Sequence, residues 1–400
     1  MSLGRSGIAR LACAFLPFLA CNSLLGNEPG APPPDAAAPI PDAVLDGGSA
    51  ESAASAAAEG GLATDAPYSA GDAPSPRGDG GPAAACRPIP LPCLDPAPAT
   101  VRDVPGETTA ADAFASAMAG DTIQIHGPLE LGSGWKVPPY VTLRGCAGAK
   151  IGGTISFQGS GGTIEGFEVA GGIVANQTGD YVLRYNRFVA STDPNLYAVS
   201  ARSIDALVSA TVTTTVDSNW FFGRASGIAA DTQYDTMTHE VTLTVRNNVF
   251  TGVARPISVS EGGLVGKITP LVEQNTFHKF DTAISLYSVS RLSTLRGNLF
   301  SQGTTAVVAN SAFGVSGSMI WHVTNATTQS PPASGTFAMA DPIFADPDAG
   351  DFTLRPGSPA IDVLPNDGTL PALDHFGCPR PVGVKSAEPK GDIGALEAQR

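Results

Sequence analysis

The chain has 400 residues, with 46 glycines, 34 prolines and only 15% charged residues. Its formal net charge is −14, and the stretch between Asn22 and Thr100 supplies −8 of it from ten acids and two bases (−10 + 2). An acidic chain with no basic run is excluded as a nucleic-acid binder, because such binding rests on neutralising phosphates. So uneven a composition also argues against two or three ordinary globular domains.

Residues 1–21 read as an export signal. Arg5 and Arg10 precede a short apolar core from Leu11 to Ala20, too short to span a bilayer. Phe18-Leu-Ala-Cys21 resembles the lipobox of bacterial lipoproteins, which implies a lipid on Cys21. Phe18 stands where that family prefers Leu or another aliphatic; the alternative is an ordinary cleaved signal. Asn22 is not the Asp of the enterobacterial inner-membrane pattern, so the resemblance implies an outer-membrane or cell-surface protein, with secretion as the alternative. Residues 22–100 form an Ala/Pro/Gly/Asp-rich linker that cannot bury enough apolar area to offset its ordering entropy. The 22–85 tether would span roughly 45 Å end to end.

In an exported chain Cys86, Cys93, Cys146 and Cys378 are the cysteines left to pair. Cys86–Cys93 is the expected disulfide, because it closes a short Pro-rich loop. Cys146 is expected either as a buried free thiol or bridged to Cys378. Cys-x6-Cys is not a zinc-knuckle spacing, and no metal centre is expected.

Residues 108–120 predict one short helix. Thr109 caps it with Asp112 three residues on, Phe114 and Met118 share a face, and Gly120 ends it. Asp121–His126 then alternates like a strand.

The stretch that follows repeats one frame five times: Asn186-Arg-Phe, Asn219-Trp-Phe, Asn248-Val-Phe, Asn275-Thr-Phe and Asn298-Leu-Phe. The asparagines are 33, 29, 27 and 23 residues apart. An aliphatic residue precedes each by three: Leu183, Val216, Val245, Val272, Leu295. Ile228, Ile257, Ile284 and Val307 follow the last four by nine. Two residues before each Asn the charge alternates in sign, and two degenerate copies extend the series backwards: Arg144, Glu165, Arg184, Asp217, Arg246, Glu273, Arg296. A fixed frame at variable spacing predicts stacked coils. In such a stack the charges fall in one file about 4.7–4.9 Å apart, opposite over opposite. The asparagines can bond one another between coils, and Asn tolerates the left-handed turn conformation. The extra residues at Thr192–Ser209, Ala230–His239 and Ser258–Gly266 are expected to protrude as loops.

This set resembles the right-handed parallel β-helix, the pectate-lyase-like architecture, over roughly residues 105–345. Gly120-Asp-Thr-Ile-Gln-Ile and Tyr140-Val-Thr-Leu-Arg-Gly145 are similar to that family's opening coils. Ala340–Asp362, Gly377-Cys-Pro-Arg380 and Gly391-Asp-Ile-Gly-Ala-Leu-Glu397 resemble the choice-of-anchor Q segment of secreted bacterial β-helix proteins. The expected fold is therefore all-β, a single-stranded right-handed parallel β-helix over 101–340. It carries a short N-terminal capping helix behind a disordered tail, and a C-terminal capping segment over 341–400.

Chemistry is sparser. A glycosidase needs two carboxylates at a defined separation. Each acid of the charge file lies between arginines, which would depress its pKa and suits a structural ladder. Exposed pairs of that kind contribute about 0–1 kcal/mol each. A polysaccharide lyase needs a base near the C5 proton of a uronic acid and a cation for its carboxylate; His278, Lys279, Lys267 and Arg255 are the candidates. Asp346-Pro-Asp348-Ala-Gly-Asp351 has an acidic spacing compatible with Ca²⁺. Trp220 is either an exposed sugar platform or packed under a loop. The leading expectation is a monomeric, non-catalytic, surface-tethered and carbohydrate-associated scaffold. The alternative is a lyase acting on acidic glycans.

Overall fold

The structure is a computed structural model that describes residues 93, 100–104, 109–191, 193, 195–203, 209–232, 238–262, 266–380 and 390–398. All belong to the compact unit Ser69–Arg400. The export signal, Cys21, the 22–85 tether and Cys86 lie outside the described residues.

The chain winds as a parallel β-helix. Ten parallel strands, from Val101–Val104 to Phe313–Ser316, form one side, and successive coils contribute successive strands. The other sheet supplies two more sides. Short strands such as Arg187–Phe188, Trp220–Phe222 and Val249–Thr251 make one, and Val199–Ser203, Ser226–Thr232 and Arg255–Glu261 make the other. Thr276–Tyr287 runs through both, so they are one sheet that bends. Crossovers between parallel neighbours of this kind are right-handed. The expected loop Thr192–Ser209 thus contains the third-side strand Val199–Ser203, and Ala230–His239 and Ser258–Gly266 begin inside Ser226–Thr232 and Arg255–Glu261; residues 192, 194, 204–208, 233–237 and 263–265 lie outside the described residues.

The repeat frame places the core. Val241, Leu243 and Val245 point inward and are fully buried, while Thr242, Thr244 and Arg246 point outward. The frame's phenylalanines stack ring on ring: Phe188–Phe221 at 4.5 Å, Phe221–Phe250 at 4.5 Å, Phe250–Phe277 at 5.0 Å and Phe277–Phe300 at 4.8 Å. Each such contact adds about 0.5–1.5 kcal/mol beyond area burial. Ile228, Ile257, Ile284 and Val307 are register partners on the third side.

The asparagines form a buried ladder at the first corner. Each amide oxygen accepts from the backbone N–H and Nδ2 of the asparagine one coil earlier, as in Asn219 N to Asn248 Oδ1 at 2.9 Å and Asn219 Nδ2 to the same oxygen at 3.1 Å. Each Nδ2 also donates to a carbonyl of the preceding coil, Asn248 to Val216 at 2.8 Å. Phe167 N–H and Ser318 Oγ close the two ends. The left-handed turn falls one residue before each asparagine, at Tyr185, Ser218, Asn247, Gln274 and Gly297. The asparagine itself is held by the ladder instead.

Arg144, Glu165, Arg184, Asp217, Arg246, Glu273 and Arg296 are consecutive register partners in one file. Glu165 is gripped by Arg144 and Arg184 at 2.7 Å each, with its side chain only 2% exposed. Asp217 pairs with Arg246 at 2.9 Å, and Arg296 turns to Asp367 at 3.1 Å. The expectation of exposed, weakly worthwhile pairs is therefore corrected at Glu165. The expected depression of acid pKa is corrected at Glu273, where burial outweighs the neighbouring arginines and raises it. Glu165→Gln should cost roughly 1–3 kcal/mol, since it leaves two charged donors underpaired in a half-buried site. Chemical denaturation checks this against an exposed pair such as Arg291–Glu240.

The helix spans Ala110–Ser116, with Thr109 Oγ1 accepting from Asp112 N at 3.2 Å. Phe114 packs on Trp135 and into the core. Met118 lies past the last turn and is exposed, so it shares no face with Phe114. Val101–Val104, ahead of the helix, already forms the first strand of the ten-stranded sheet.

The cysteine pairing differs from expectation. Cys93 bonds to Cys146, not to Cys86, and Cys146 is not a free thiol. The coil register explains this. Cys146 occupies the corner position that asparagine takes in later coils, which brings it beside His126 and Cys93 rather than beside the C-terminal segment. Cys378 is disulfide-bonded as well.

Candidate functional site

One outward column decides where a site can form. Glu130, Lys150, Glu168 and Arg187 are register partners, with Glu168 bonded to Lys150 at 3.0 Å and to Arg187 at 3.1 Å. The same column then changes character to Trp220, Val249, Thr276, Leu299 and Met319. Those residues are what the C-terminal segment covers. Leu299 and Met319 pack with Ala360, Leu364 and Ile393, and Val249 packs with Phe352, Ala395 and Leu396. The segment expected to cap the stack therefore lies along its flank. Trp220 meets Phe352 and His375 edge-on beneath it, so Trp220 packs rather than displays.

A buried polar network holds this strap. Asp374 accepts from the backbone of Phe376, Cys378 and Glu397. Arg380 donates to the carbonyls of Asp392 and Gly394 and to Glu397 at 3.3 Å. Burial raises the Asp374 and Asp392 carboxyls. His375 Nδ1 donates to the Asn247 carbonyl at 3.0 Å, and burial pushes its pKa down to about 4.

His278 lies under the same strap. It is 1% exposed, packs edge-on against Phe352, and its pKa is also pushed down by burial to about 4. Both rings stay neutral in the folded chain, while unfolded histidines protonate below about pH 6.5. The unfolded state then binds more protons, so stability falls as pH drops from about 6.5 towards 4. The raised Asp374 and Asp392 act in the opposite sense above the ordinary carboxylate range. Melting temperature should therefore fall less between pH 7 and about 4.5 in His375→Phe than in the native chain, as calorimetry can measure.

Where the second sheet bends, a second left-handed column runs Gly223, Gly252, Lys279, Gln302, His322. Two glycines give way to three long polar side chains, each held in a conformation that costs a non-glycine roughly 1–2 kcal/mol. These three border two adjoining open clefts of about 380 and 320 Å³, with Gln302 lining both. The outer cleft is walled by the strap at Asp341, Phe344, Pro347 and Arg355. On its floor Trp321 and His322 stack at 4.3 Å. Lys279 bonds Asp348 at 2.8 Å and holds that carboxyl below its usual range.

The four lyase candidates do not converge. His278 is buried, Lys279 sits at the bend, Arg255 opens the third-side strand Arg255–Glu261, and Lys267 opens Lys267–Glu273 in the other sheet. The acids of the Asp346–Asp351 turn are engaged locally. Asp346 accepts from Ala349 N, Asp351 from Thr353, and Asp348 binds Lys279. Sequence reasoning missed Gln302, Trp321, His322 and Arg355. Gln302 and His322 share the register of the bend, two residues after Phe300 and Ile320, which only the pairing of the long strands makes visible; Trp321 adjoins it, and Arg355 comes from the C-terminal segment.

A scan against protein-family models and a search of curated proteins both find no match.

Proposed function

We propose that the chain is an exported, surface-tethered β-helix protein of the pectate-lyase-like kind that binds polysaccharide in the cleft at its bend without cleaving it. The carrying observation is the Trp321–His322 stack on the floor of an open cleft flanked by Lys279 and Arg355. Planar rings stack on sugar faces, and Arg355, with Lys279 where it exchanges Asp348 for a ligand carboxylate, suits the carboxylates of acidic glycans. The dispersal of His278, Lys279, Lys267 and Arg255 weighs against a lyase, because proton abstraction needs base and cation at one sugar. The lipobox-like start and the resemblance of the C-terminal motifs to a choice-of-anchor Q segment support the surface location.

Incubating the full chain with a panel of uronic-acid and neutral polymers tests this reading. Binding without unsaturated product is expected, with Trp321→Ala weakening it about tenfold, as loss of a stacked aromatic anchor costs above 1 kcal/mol. Lys279→Gly and Gln302→Gly should weaken binding while leaving the melting temperature unchanged or raised, because they relieve left-handed strain. Product formation would overturn the scaffold reading in favour of the lyase.

A further inference from the structure

At the N-terminal end of the stack, three metal-ligating side chains from separate places meet. Cys93 precedes the first strand, His126 follows Thr122–Ile125, and Cys146 follows Thr142–Gly145 one coil on. Their donor atoms lie within 4.8 Å of one another, with Cys93 Sγ 3.2 Å from His126 Nδ1. Asp103 contacts the other ring nitrogen, Nε2, and is itself held by Gln124 Nε2 at 3.0 Å. In the tautomer whose Nε2 proton is donated to Asp103, the Nδ1 lone pair faces the sulfurs. That is the arrangement in which a carboxylate orients a metal-binding histidine. Cys146 is buried, whereas Cys93 and His126 are half-exposed, so a cation can enter from their side.

We propose that this corner is a redox-gated site for one thiophilic cation of the Zn²⁺ class. With the Cys93–Cys146 bond intact no thiolate is available, and the site is closed. Reduction by a phosphine consumes one water, gives the phosphine oxide and leaves two thiols. Both thiols then lose their protons to bind one cation together with His126 Nδ1. Two sulfurs and one imidazole match the Cys₂His donor set of zinc, with one coordination position left over.

Cobalt titration of the full chain carrying Cys13→Ser, Cys21→Ser, Cys86→Ser and Cys378→Ser, so that Cys93 and Cys146 supply its thiols, tests the proposal before and after phosphine reduction. The expected result is no sulfur-to-cobalt absorption in the oxidised chain and one equivalent after reduction, displaced by Zn²⁺. Asp103→Asn should weaken that binding about 10–100-fold. His126→Gln, which leaves the disulfide able to form, should weaken it at least as much. Cys93→Ser should abolish it. Sulfur–cobalt absorption that survives Cys93→Ser, or that is indifferent to His126→Gln, would overturn the proposal. So would a reduced chain that takes no cobalt, whether or not its β-sheet circular dichroism persists.

Discussion

Asn248→Ala is expected to lower unfolding free energy by roughly 2–6 kcal/mol, from two orphaned buried groups at about 1–3 kcal/mol each. The Asn219 backbone N–H loses its acceptor and the Val216 carbonyl loses its donor, both inside a corner that water does not reach. Asn248 sits mid-ladder, so neither neighbour can turn to solvent. Ser318→Ala, at the ladder's last rung, removes the acceptor of Asn298 N and a long bond to the Ser316 carbonyl, and should cost about 1 kcal/mol. Urea titrations of the two variants give the comparison. Equal losses would mean the amides are not acting as a connected ladder.

Arg380→Ala is the second large effect, about 3–5 kcal/mol, because it removes the arginine charge from beside the buried Glu397 carboxylate. It also strips donors from the Asp392 and Gly394 carbonyls. Loss of this network should free the strap from the flank before the coils come apart. Hydrogen exchange is then expected to quicken at Ile393 and Ala395, which bond to Ala360 and Thr276, while Val241–Val245 keep their protection. Asp367→Ala removes an exposed partner of Arg296 and local bonds to Thr369, and should leave both regions unchanged. Uniform loss of protection in Arg380→Ala would show that strap and coils unfold as one unit.

Much of the fold was legible in the residues because the coil repeats its own frame. Asn-x-Phe gives the corner and the first inward ring after it. The alternating charges gave the register, because a one-residue slip would set each charge opposite an uncharged neighbour of its partner, Asp217 over Val245 or Asn247 instead of Arg246. The frame also hid things. The middle residue of Asn-x-Phe changes from charged to apolar at Trp220, which marks where the C-terminal segment lies, yet one apolar residue per coil is too faint a period to read without pairing. The left-handed turn belongs to Tyr185, Ser218, Asn247 and Gln274, four unlike residues that share only their place in the coil. His278 looked like a base because it follows Phe277. The same alternation that buries Phe277 at the core puts His278 on the outer face, and only the strap's Phe352 closes over it. The cleft escaped notice because Lys279, Gln302 and His322 share no residue type.

The central claim is that these frames stack in one fixed register, with Thr213 over Thr242. A chain carrying Thr213→Cys and Thr242→Cys tests it directly by mild oxidation and mass mapping, since register partners fall within the Cα range a disulfide spans. The account predicts a rapid intramolecular Thr213–Thr242 position cross-link and none when Thr244→Cys replaces Thr242→Cys. Preferential cross-linking of the 213 and 244 positions would contradict it.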